Sequence, residues 1–225
     1  MQIEDVELAG FVKITSKDAL LVIDMQNDFL PGGALPVADG DQIIPGINNL
    51  TDRFHQTENP IVFTQDWHPI GHHSFASTHP GKNPYDPLEA QGIGPVLWPD
   101  HCVQGTHGAN FVPGLQAAKA TLILRKGFHK SIDSYSAFLE NDRTTETGLA
   151  TFLQTLGIER VFICGLALDY CVYFTAIDAK EFGFDVVVVL DQTKAVNTPE
   201  GSVSNTLKNM TEKKIIFITS DKILG

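Results

Sequence analysis

The chain has 225 residues, of which 43% are hydrophobic and 19% charged, and its formal net charge is −11 at pH 7. This composition excludes a largely disordered chain and indicates one folded domain, which we place at residues 1–225. The acidic balance and the absence of Lys/Arg runs argue against nucleic acid and anionic membrane surfaces as partners. No apolar run of about 18 residues is present, so no membrane-spanning helix is predicted.

Apolar runs and helical periodicity alternate along the chain. Short apolar runs predict six buried strands, at residues 19–23, 61–64, 121–124, 161–164, 186–190 and 215–219. Between most of them, apolar residues at helical spacing predict helices at 42–55, 145–156, 170–182 and 199–210. The predicted fold class is therefore α/β, a single-domain, doubly wound, six-stranded, mainly parallel sheet with helices on both faces.

Chemically active residues follow the predicted strands at their carboxyl ends, where the ligand site of such a sheet lies. Asp24 follows the first strand, Lys126 the third, and Cys171 the fourth, where the pattern turns helical. An acid, an ammonium and a thiol on one rim form a nucleophilic set, and the positive helix end would stabilise the thiolate. Taken singly, each has a simpler interpretation: a helix cap, a surface lysine and a buried apolar cysteine.

Residues 65–119 form a long segment, rich in Pro, Gly and His, that breaks the alternation of strands and helices. Six of the eight histidines fall between positions 68 and 107, and irregular segments of this length are usually functional. Asp66 and His68, two residues apart in an extended stretch, point the same way, and His101 adds a third donor. One carboxylate with two imidazoles suits Zn²⁺ or a similar divalent ion; a set of ordinary surface histidines is the alternative.

The cysteines and the N-terminus both bear on the compartment. Only Cys102, Cys164 and Cys171 are present, which is too few for a dense disulfide framework and not the spacing of a zinc ribbon. The N-terminal segment carries acidic residues early and lacks the basic and apolar regions of a secretory signal. We therefore expect a cytoplasmic protein in a reducing compartment.

Five motifs in chain order resemble those of the isochorismatase-like cysteine hydrolases, and within them those of the nicotinamidases, including members that also deamidate pyrazinamide. The motifs are VIDMQNDF around Asp24, DWH at 66–68, LWPDHCVQGT around His101, RKG at Lys126 and GLALDYCV at Cys171. The resemblance covers residues 20 to 191, nearly the whole chain. It implies the fold of that family and the roles that follow.

The resemblance implies a catalytic triad and an oxyanion hole. Asp24, Lys126 and Cys171 match the family's triad. The Leu166–Ala167 peptide matches the position of a non-proline cis bond in the family. The backbone N–H groups of Ala167 and Cys171 would form the oxyanion hole.

The resemblance also implies a metal centre. Asp66, His68 and His101 match the ligands of one divalent metal ion, expected to be Zn²⁺, with Mn²⁺ or Fe²⁺ as alternatives. Some members recruit a further histidine from the loop after the DWH motif. Whether His72 or His73 fills that place stays open, because the local spacing differs.

The resemblance finally implies a substrate and its pocket. The aromatic and apolar walls match Phe29, Leu35, Trp98, Tyr135 and Phe138. The expected reaction is the hydrolysis of nicotinamide, or a related small-molecule pyridine carboxamide, to the acid and ammonia through a thioester on the cysteine. The expected role is NAD salvage, and a homo-oligomer is the family expectation.

Two other kinds of function stay open. Sister enzymes cleave the vinyl ether of isochorismate or hydrolyse ureido and carbamoyl substrates. The former generally lack the nucleophilic cysteine and the latter generally lack the metal triplet, and this chain has both. A non-catalytic metal-binding protein on the same fold would need no acid–lysine–cysteine set.

Overall fold

Six parallel strands form the central sheet of the computed structural model, which describes residues 3–88 and 90–225. In chain order the elements are β1 Val12–Lys13, β2 Asp18–Ile23, α1 Ile44–Gln56, β3 Ile61–Asp66, β4 Leu122–Lys126, α2 Leu149–Thr155, β5 Arg160–Leu166, α3 Tyr173–Glu181, β6 Asp185–Lys194, α4 Ser202–Glu212, β7 Ile216–Ile218 and β8 Ile223–Leu224. The sheet has the order β4-β3-β2-β5-β6-β7, while β1 and β8 form a separate parallel pair.

The direction of winding reverses between β2 and β5. The chain runs outward from β2 through β3 to β4, returns through α2 to β5, and then runs outward the other way through β6 to β7. Because parallel crossovers are right-handed, these two directions place α1 on one face of the sheet and α3 and α4 on the other. The predicted single-domain doubly wound α/β fold is confirmed, and its expected ligand site is the crevice beyond the carboxyl ends of β2 and β5.

The sheet is covered on both faces, which explains why its strands read as near-continuous apolar runs. Every residue of β2 and β3 is buried. The predicted strands are all present, with shifted ends. Strands β3 and β4 extend to the polar residues Asp66 and Lys126, because these two residues pair with each other in the ladder.

The four predicted helices are present, but each begins a few residues later than the periodicity indicated. A 3₁₀ turn at Gly40–Ile43 precedes α1, and Leu168–Val172 form a π-helical turn before α3. Gly148, with a φ of 89°, immediately precedes α2. The 3₁₀ and π-helical turns bury apolar residues at nearly the same spacing as an α-helix does. Sequence periodicity therefore does not distinguish these turns from the first turn of the helix that follows. Within the described ranges, no helix has the length and apolar character needed to cross a membrane.

The segment between β3 and β4 has, among its described residues, only short 3₁₀ turns and isolated bridges. A bridge between His68 and Val103 folds this segment back on itself, and a bridge between Gln26 and Phe111 ties it to the chain after β2. The histidine-rich segment therefore lies beside the carboxyl ends of β2 and β3.

Gly165 allows β5 to pass close to β2 just before the two strands end. It pairs with Ile23 and has a φ of 105°. A Cβ atom at this position would lie 2.2 Å from the Ile23 carbonyl oxygen and 2.7 Å from its nitrogen. Both atoms belong to the backbone and cannot move aside, so only glycine fits.

We expect Gly165→Ala to lower the free energy of unfolding by about 3 kcal/mol or more, because left-handed strain and a backbone clash add. The matched control is Gly157→Ala, since Gly157 also has a positive φ of 72° but faces open space. It should lose about 1 kcal/mol. Urea denaturation of both variants measures the difference, and equal losses would contradict the clash.

Candidate active site and metal centre

Lys126 lies at the centre of a buried polar cluster at the carboxyl ends of the strands. Its ammonium lies 2.8 Å from the Asp24 Oδ2 atom and 2.5 Å from the Asp66 Oδ1 atom. It also donates to the Ser134 carbonyl at 2.9 Å and lies 3.5 Å from the Cys171 Sγ atom. The structure therefore brings together the acid, the lysine and the cysteine that the sequence singled out.

Local backbone geometry presents each member of this cluster. Asp66 and Lys126 end neighbouring strands, while Cys171 lies in the π-helical turn that follows β5. Asp24 follows β2 with a φ of 47°, which turns the chain out of the sheet. The Thr64 hydroxyl donates to the Asp24 Oδ1 atom at 2.5 Å and accepts the Asp24 N–H at 3.0 Å. This leaves the Oδ2 atom of Asp24 facing Lys126.

Burial sets the protonation of this cluster. Burial raises the pKa of the Cys171 thiol well above its usual value, although the Lys126 charge opposes the shift. Burial also raises the pKa of Asp24, although the positive charge of Lys126 acts to lower it. For Lys126, burial would lower the pKa, but the carboxylates of Asp24 and Asp66 outweigh it and raise it. The raised pKa of Lys126 favours its charged form, and the raised pKa of the Cys171 thiol favours its neutral form, which runs against the expected helix-stabilised thiolate.

Asp66 faces a second group of donors with its other carboxylate oxygen. Its Oδ2 atom lies 3.7 Å from His68 Nε2 and 3.8 Å from His101 Nε2. His68 Nδ1–H donates to the Gly127 carbonyl at 2.9 Å, and His101 Nδ1–H donates to the Pro99 carbonyl at 2.8 Å. These bonds leave both Nε2 atoms as the ligating nitrogens. The predicted ligands therefore converge, all buried, with donor atoms within 4.8 Å of one another.

The charges of this group suit a divalent cation. Burial, followed by the nearby His68, lowers the pKa of His101 to about 4, so its imidazole is neutral. Burial would raise the pKa of Asp66, but Lys126 and His68 outweigh it and lower it. Burial would lower the pKa of His68, but Asp66 outweighs it and raises it. One carboxylate and two imidazoles are donors that Zn²⁺ accepts, with the cation displacing the His68 proton, so the residues fit the predicted metal.

The two further candidate histidines occupy different environments. His72 is buried against His68, with the ring centroids 4.4 Å apart. Its Nε2–H donates to the Ile132 carbonyl at 3.2 Å, and its Nδ1 lies 2.7 Å from the Ser74 hydroxyl. His73 is exposed. His72 therefore packs against His68 with both ring nitrogens hydrogen-bonded, and His68, His72 and Asp133 form a second buried group whose donor atoms lie within 4.8 Å of one another.

A cavity adjoins both Cys171 and two of the predicted metal ligands, Asp66 and His101. Four of the predicted pocket residues line it, namely Phe29, Leu35, Trp98 and Tyr135. The Trp98 indole N–H donates to the Tyr135 hydroxyl at 3.0 Å, which fixes both rings. The structure places Phe138 elsewhere: it is buried in the core and packs against two other phenylalanine rings.

Four further residues line the cavity that the sequence did not single out, namely Val37, Asp133, Tyr170 and Val196. Only Tyr170 had a signal, because it directly precedes Cys171. The others belong to stretches where no periodicity predicts which way a side chain points. The Oδ2 atom of Asp133 is buried and has no hydrogen-bond partner in the part of the chain that the structure describes.

The backbone predicted to bind an oxyanion joins β5 to the turn that carries Cys171. The Leu166–Ala167 peptide bond is cis, as the resemblance implied. Ala167 and Cys171 both line the cavity. The Ala167 carbonyl accepts the N–H groups of Tyr170 and Val172 at 3.0 and 3.1 Å. The two residues expected to supply the oxyanion hole thus share one wall of the cavity, and their role stays a prediction.

Comparisons with known proteins agree with this geometry. The family model described as the isochorismatase domain matches residues 18–222. The chain belongs to the isochorismatase family. A curated nicotinamidase from Acinetobacter baylyi (strain ATCC 33305 / BD413 / ADP1) is 49% identical over 213 residues, which cover 95% of this chain and 97% of that protein.

Two solved structures resemble most of the chain. PnC1 from L. infantum in complex with nicotinate is 38% identical with a TM-score of 0.81, covering 95% of this chain and 98% of that one. The pyrazinamidase of Pyrococcus horikoshii in complex with zinc is 38% identical with a TM-score of 0.73, and the match covers 90% of this chain and 99% of that one. These similarities confirm the predicted family and fold.

We expect Lys126→Met to lower the free energy of unfolding by about 3–5 kcal/mol, because it leaves two buried carboxylates facing each other without a cation. The matched control is Lys119→Met, which breaks a partly exposed pair with Asp52 and should cost less than about 1 kcal/mol. Adding Asp24→Asn to Lys126→Met should restore part of the loss. The test compares the denaturation midpoints of the wild type, the two single variants and the double variant. A double variant less stable than Lys126→Met would contradict repulsion between the two buried carboxylates as the cause of the loss.

Proposed function

We propose that the protein hydrolyses nicotinamide through a thioester between Cys171 and the carboxamide carbon, and that it serves NAD salvage. The predicted nicotinamidase activity is confirmed by the curated relative at 49% identity. The observation that carries the residue assignment is the buried Lys126 ammonium, 2.8 Å from Asp24 and 3.5 Å from the Cys171 thiol, where Cys171 lines the cavity. This arrangement provides a base, a cation and a nucleophile at one point.

In the proposed first half-reaction, Asp24 takes the thiol proton while Lys126 holds both groups in place. The Cys171 sulfur forms a bond to the carboxamide carbon, and the backbone N–H groups of Ala167 and Cys171 stabilise the oxyanion. Asp24 passes its proton to the departing nitrogen, so that the C–N bond breaks and ammonia leaves. In the second half-reaction Asp24 takes a proton from a water whose oxygen bonds to the thioester carbon, the C–S bond breaks, and Asp24 passes that proton to the Cys171 sulfur. Nicotinic acid leaves and ionises to nicotinate, releasing the second proton of the water to solvent.

The proposed metal centre consists of Asp66 Oδ2, His68 Nε2 and His101 Nε2. We assign it one divalent ion, and Zn²⁺ is supported by the zinc complex of the Pyrococcus horikoshii relative and by the donor set. Mn²⁺ and Fe²⁺ accept the same donors. When bound, such an ion supplies a Lewis acid that can hold a pyridine nitrogen and so orient the ring.

The cavity supports a small, flat, partly polar substrate. Phe29, Trp98 and Tyr135 offer aromatic walls, while the thiol and the metal ligands occupy its polar parts. The L. infantum relative was solved with nicotinate, the product expected here. A homo-oligomeric state and a cytoplasmic location remain predictions, as does the expectation that neither nucleic acid nor membrane is a partner. The free state of the three cysteines supports the reducing compartment.

The purified protein with metal present should release ammonia from nicotinamide, and Cys171→Ala should lower the rate at least about a thousandfold. The control is Cys164→Ala, because Cys164 is a buried residue of β5 that does not line the cavity. Its rate should stay within about threefold of wild type. Activity retained in Cys171→Ala would contradict the thioester. Absence of release by the wild type would instead favour ureido or carbamoyl substrates or a non-catalytic role.

Chelation of the metal should raise the KM for nicotinamide at least about tenfold, because the ring loses its orienting contact. Alkylation of Cys171 by iodoacetamide should change less than about twofold, since Asp24 and Lys126 remain in place. Added Zn²⁺ should restore the KM. Mass spectrometry of the labelled protein measures the rate at which iodoacetamide alkylates Cys171. Loss of labelling upon chelation would show that the metal also activates the nucleophile.

A further inference from the structure

Asp169 is a buried carboxylate two residues before the nucleophile that the proposed reaction does not use. Its side chain is 4% exposed. The Oδ1 atom accepts the Val196 N–H at 2.9 Å, and the Oδ2 atom accepts the Asn197 N–H at 2.8 Å. The Ser202 hydroxyl also donates to Oδ2, at 2.5 Å. All three donors lie in, or directly after, the segment between β6 and α4.

We call residues 195–201 the strap. It leaves the sheet at the end of β6, forms part of the cavity wall through Val196, and leads into α4. Ala195 and Val196 pack against the core, but the rest of the strap is exposed or half-exposed, so core packing holds only its first part. A second contact comes from the neighbour of Asp169, because the Tyr170 hydroxyl donates to the Thr198 carbonyl. Two consecutive residues of the turn that ends in Cys171 therefore hold the strap.

The chemistry of these contacts requires a carboxylate at position 169. Two successive backbone N–H groups point at different oxygens of one side chain, so both side-chain atoms must be acceptors. An asparagine of the same shape would present an NH₂ group to one of the two N–H donors. Hydrogen bonds to an ionised acceptor are also about twice as strong as neutral ones, which suits a strap with little other support.

Val196 and Tyr170 line the same cavity as the aromatic walls, beside Cys171. Both residues can therefore contact a ring bound in the cavity. We propose that Asp169 is a positioning residue that holds Val196 at the spacing required for a flat aromatic carboxamide. This inference rests on the proposed function and adds to it the residue that sets the fit of the substrate ring.

The test compares Asp169→Asn with wild type in three measurements. The KM for nicotinamide should rise about tenfold while kcat changes less than about threefold, because the wall moves and the reacting groups do not. Alkylation of Cys171 by iodoacetamide should keep its wild-type rate. Hydrogen–deuterium exchange of the Val196 and Asn197 amides should become faster, because these N–H groups lose their acceptor.

Two further variants make the result specific. Ser202→Ala removes only the hydroxyl contact and should change KM less than about threefold. Val196→Ala removes the wall without touching Asp169; it should raise KM, and adding Asp169→Asn should then raise it little further.

Different outcomes would overturn different parts of the argument. Faster strap exchange with an unchanged KM in Asp169→Asn would contradict the role of the strap as a substrate wall. Lower kcat and slower alkylation at unchanged KM would show that Asp169 acts on the Cys171 turn instead. Both outcomes leave the proposed function intact. A wild-type protein that releases no ammonia from nicotinamide would overturn the proposed function, and this inference with it.

Discussion

The site depends on burying the Lys126 ammonium among acceptors. Removing such a charge from water costs several kcal/mol, so it is stable only where its partners are complete. Asp24, Asp66 and the Ser134 carbonyl supply them. Two carboxylates and one ammonium leave this cluster with an excess negative charge, and the excess is accessible on the second oxygen of Asp66. A cation bound at this oxygen would balance the excess negative charge. Lys126 and the metal centre would thus both neutralise the same pair of buried carboxylates, Asp24 and Asp66.

Asp66 can serve both partners only if its backbone is fixed, and Gln26 provides this. After Ile23 the chain of β2 turns out of the sheet, which would leave the Asp66 backbone without a neighbour on that side. The Gln26 side chain takes the place of a strand: its Nε2 donates to the Asp66 carbonyl and its Oε1 accepts the Asp66 N–H, both at 2.8 Å. The same Nε2 also donates to the Ala109 carbonyl at 2.9 Å. A buried amide thus extends the sheet by one residue, and it orients the carboxylate between the lysine and the two imidazoles.

The sequence predicted those parts of the site that obey a regular rule. Buried parallel strands are apolar on both faces, and their carboxyl ends meet at one rim, which was enough to group Asp24, Lys126 and Cys171. Clustered histidines in one loop pointed to His101. The cavity walls from irregular segments, such as Val196, could not be predicted, because their direction depends on contacts far along the chain. Phe138 was predicted to line the cavity, but its side chain packs into the core. A sequence motif alone does not show which way a side chain points.

The protonation of Cys171 also lay beyond sequence reasoning, and it constrains the mechanism. A helix end favours a thiolate, but burial beside two carboxylates favours the thiol and raises the pKa of Cys171. Burial raises the pKa of Asp24 as well, so neither group is easily ionised without the other keeping a proton. Next to a charged Lys126, these two directions favour a state in which Asp24 and Cys171 together hold one proton. In the proposed reaction that proton moves to Asp24 when the sulfur bonds to carbon, and it is then already placed to leave with ammonia. The buried lysine thus stabilises a pair of groups that share one negative charge.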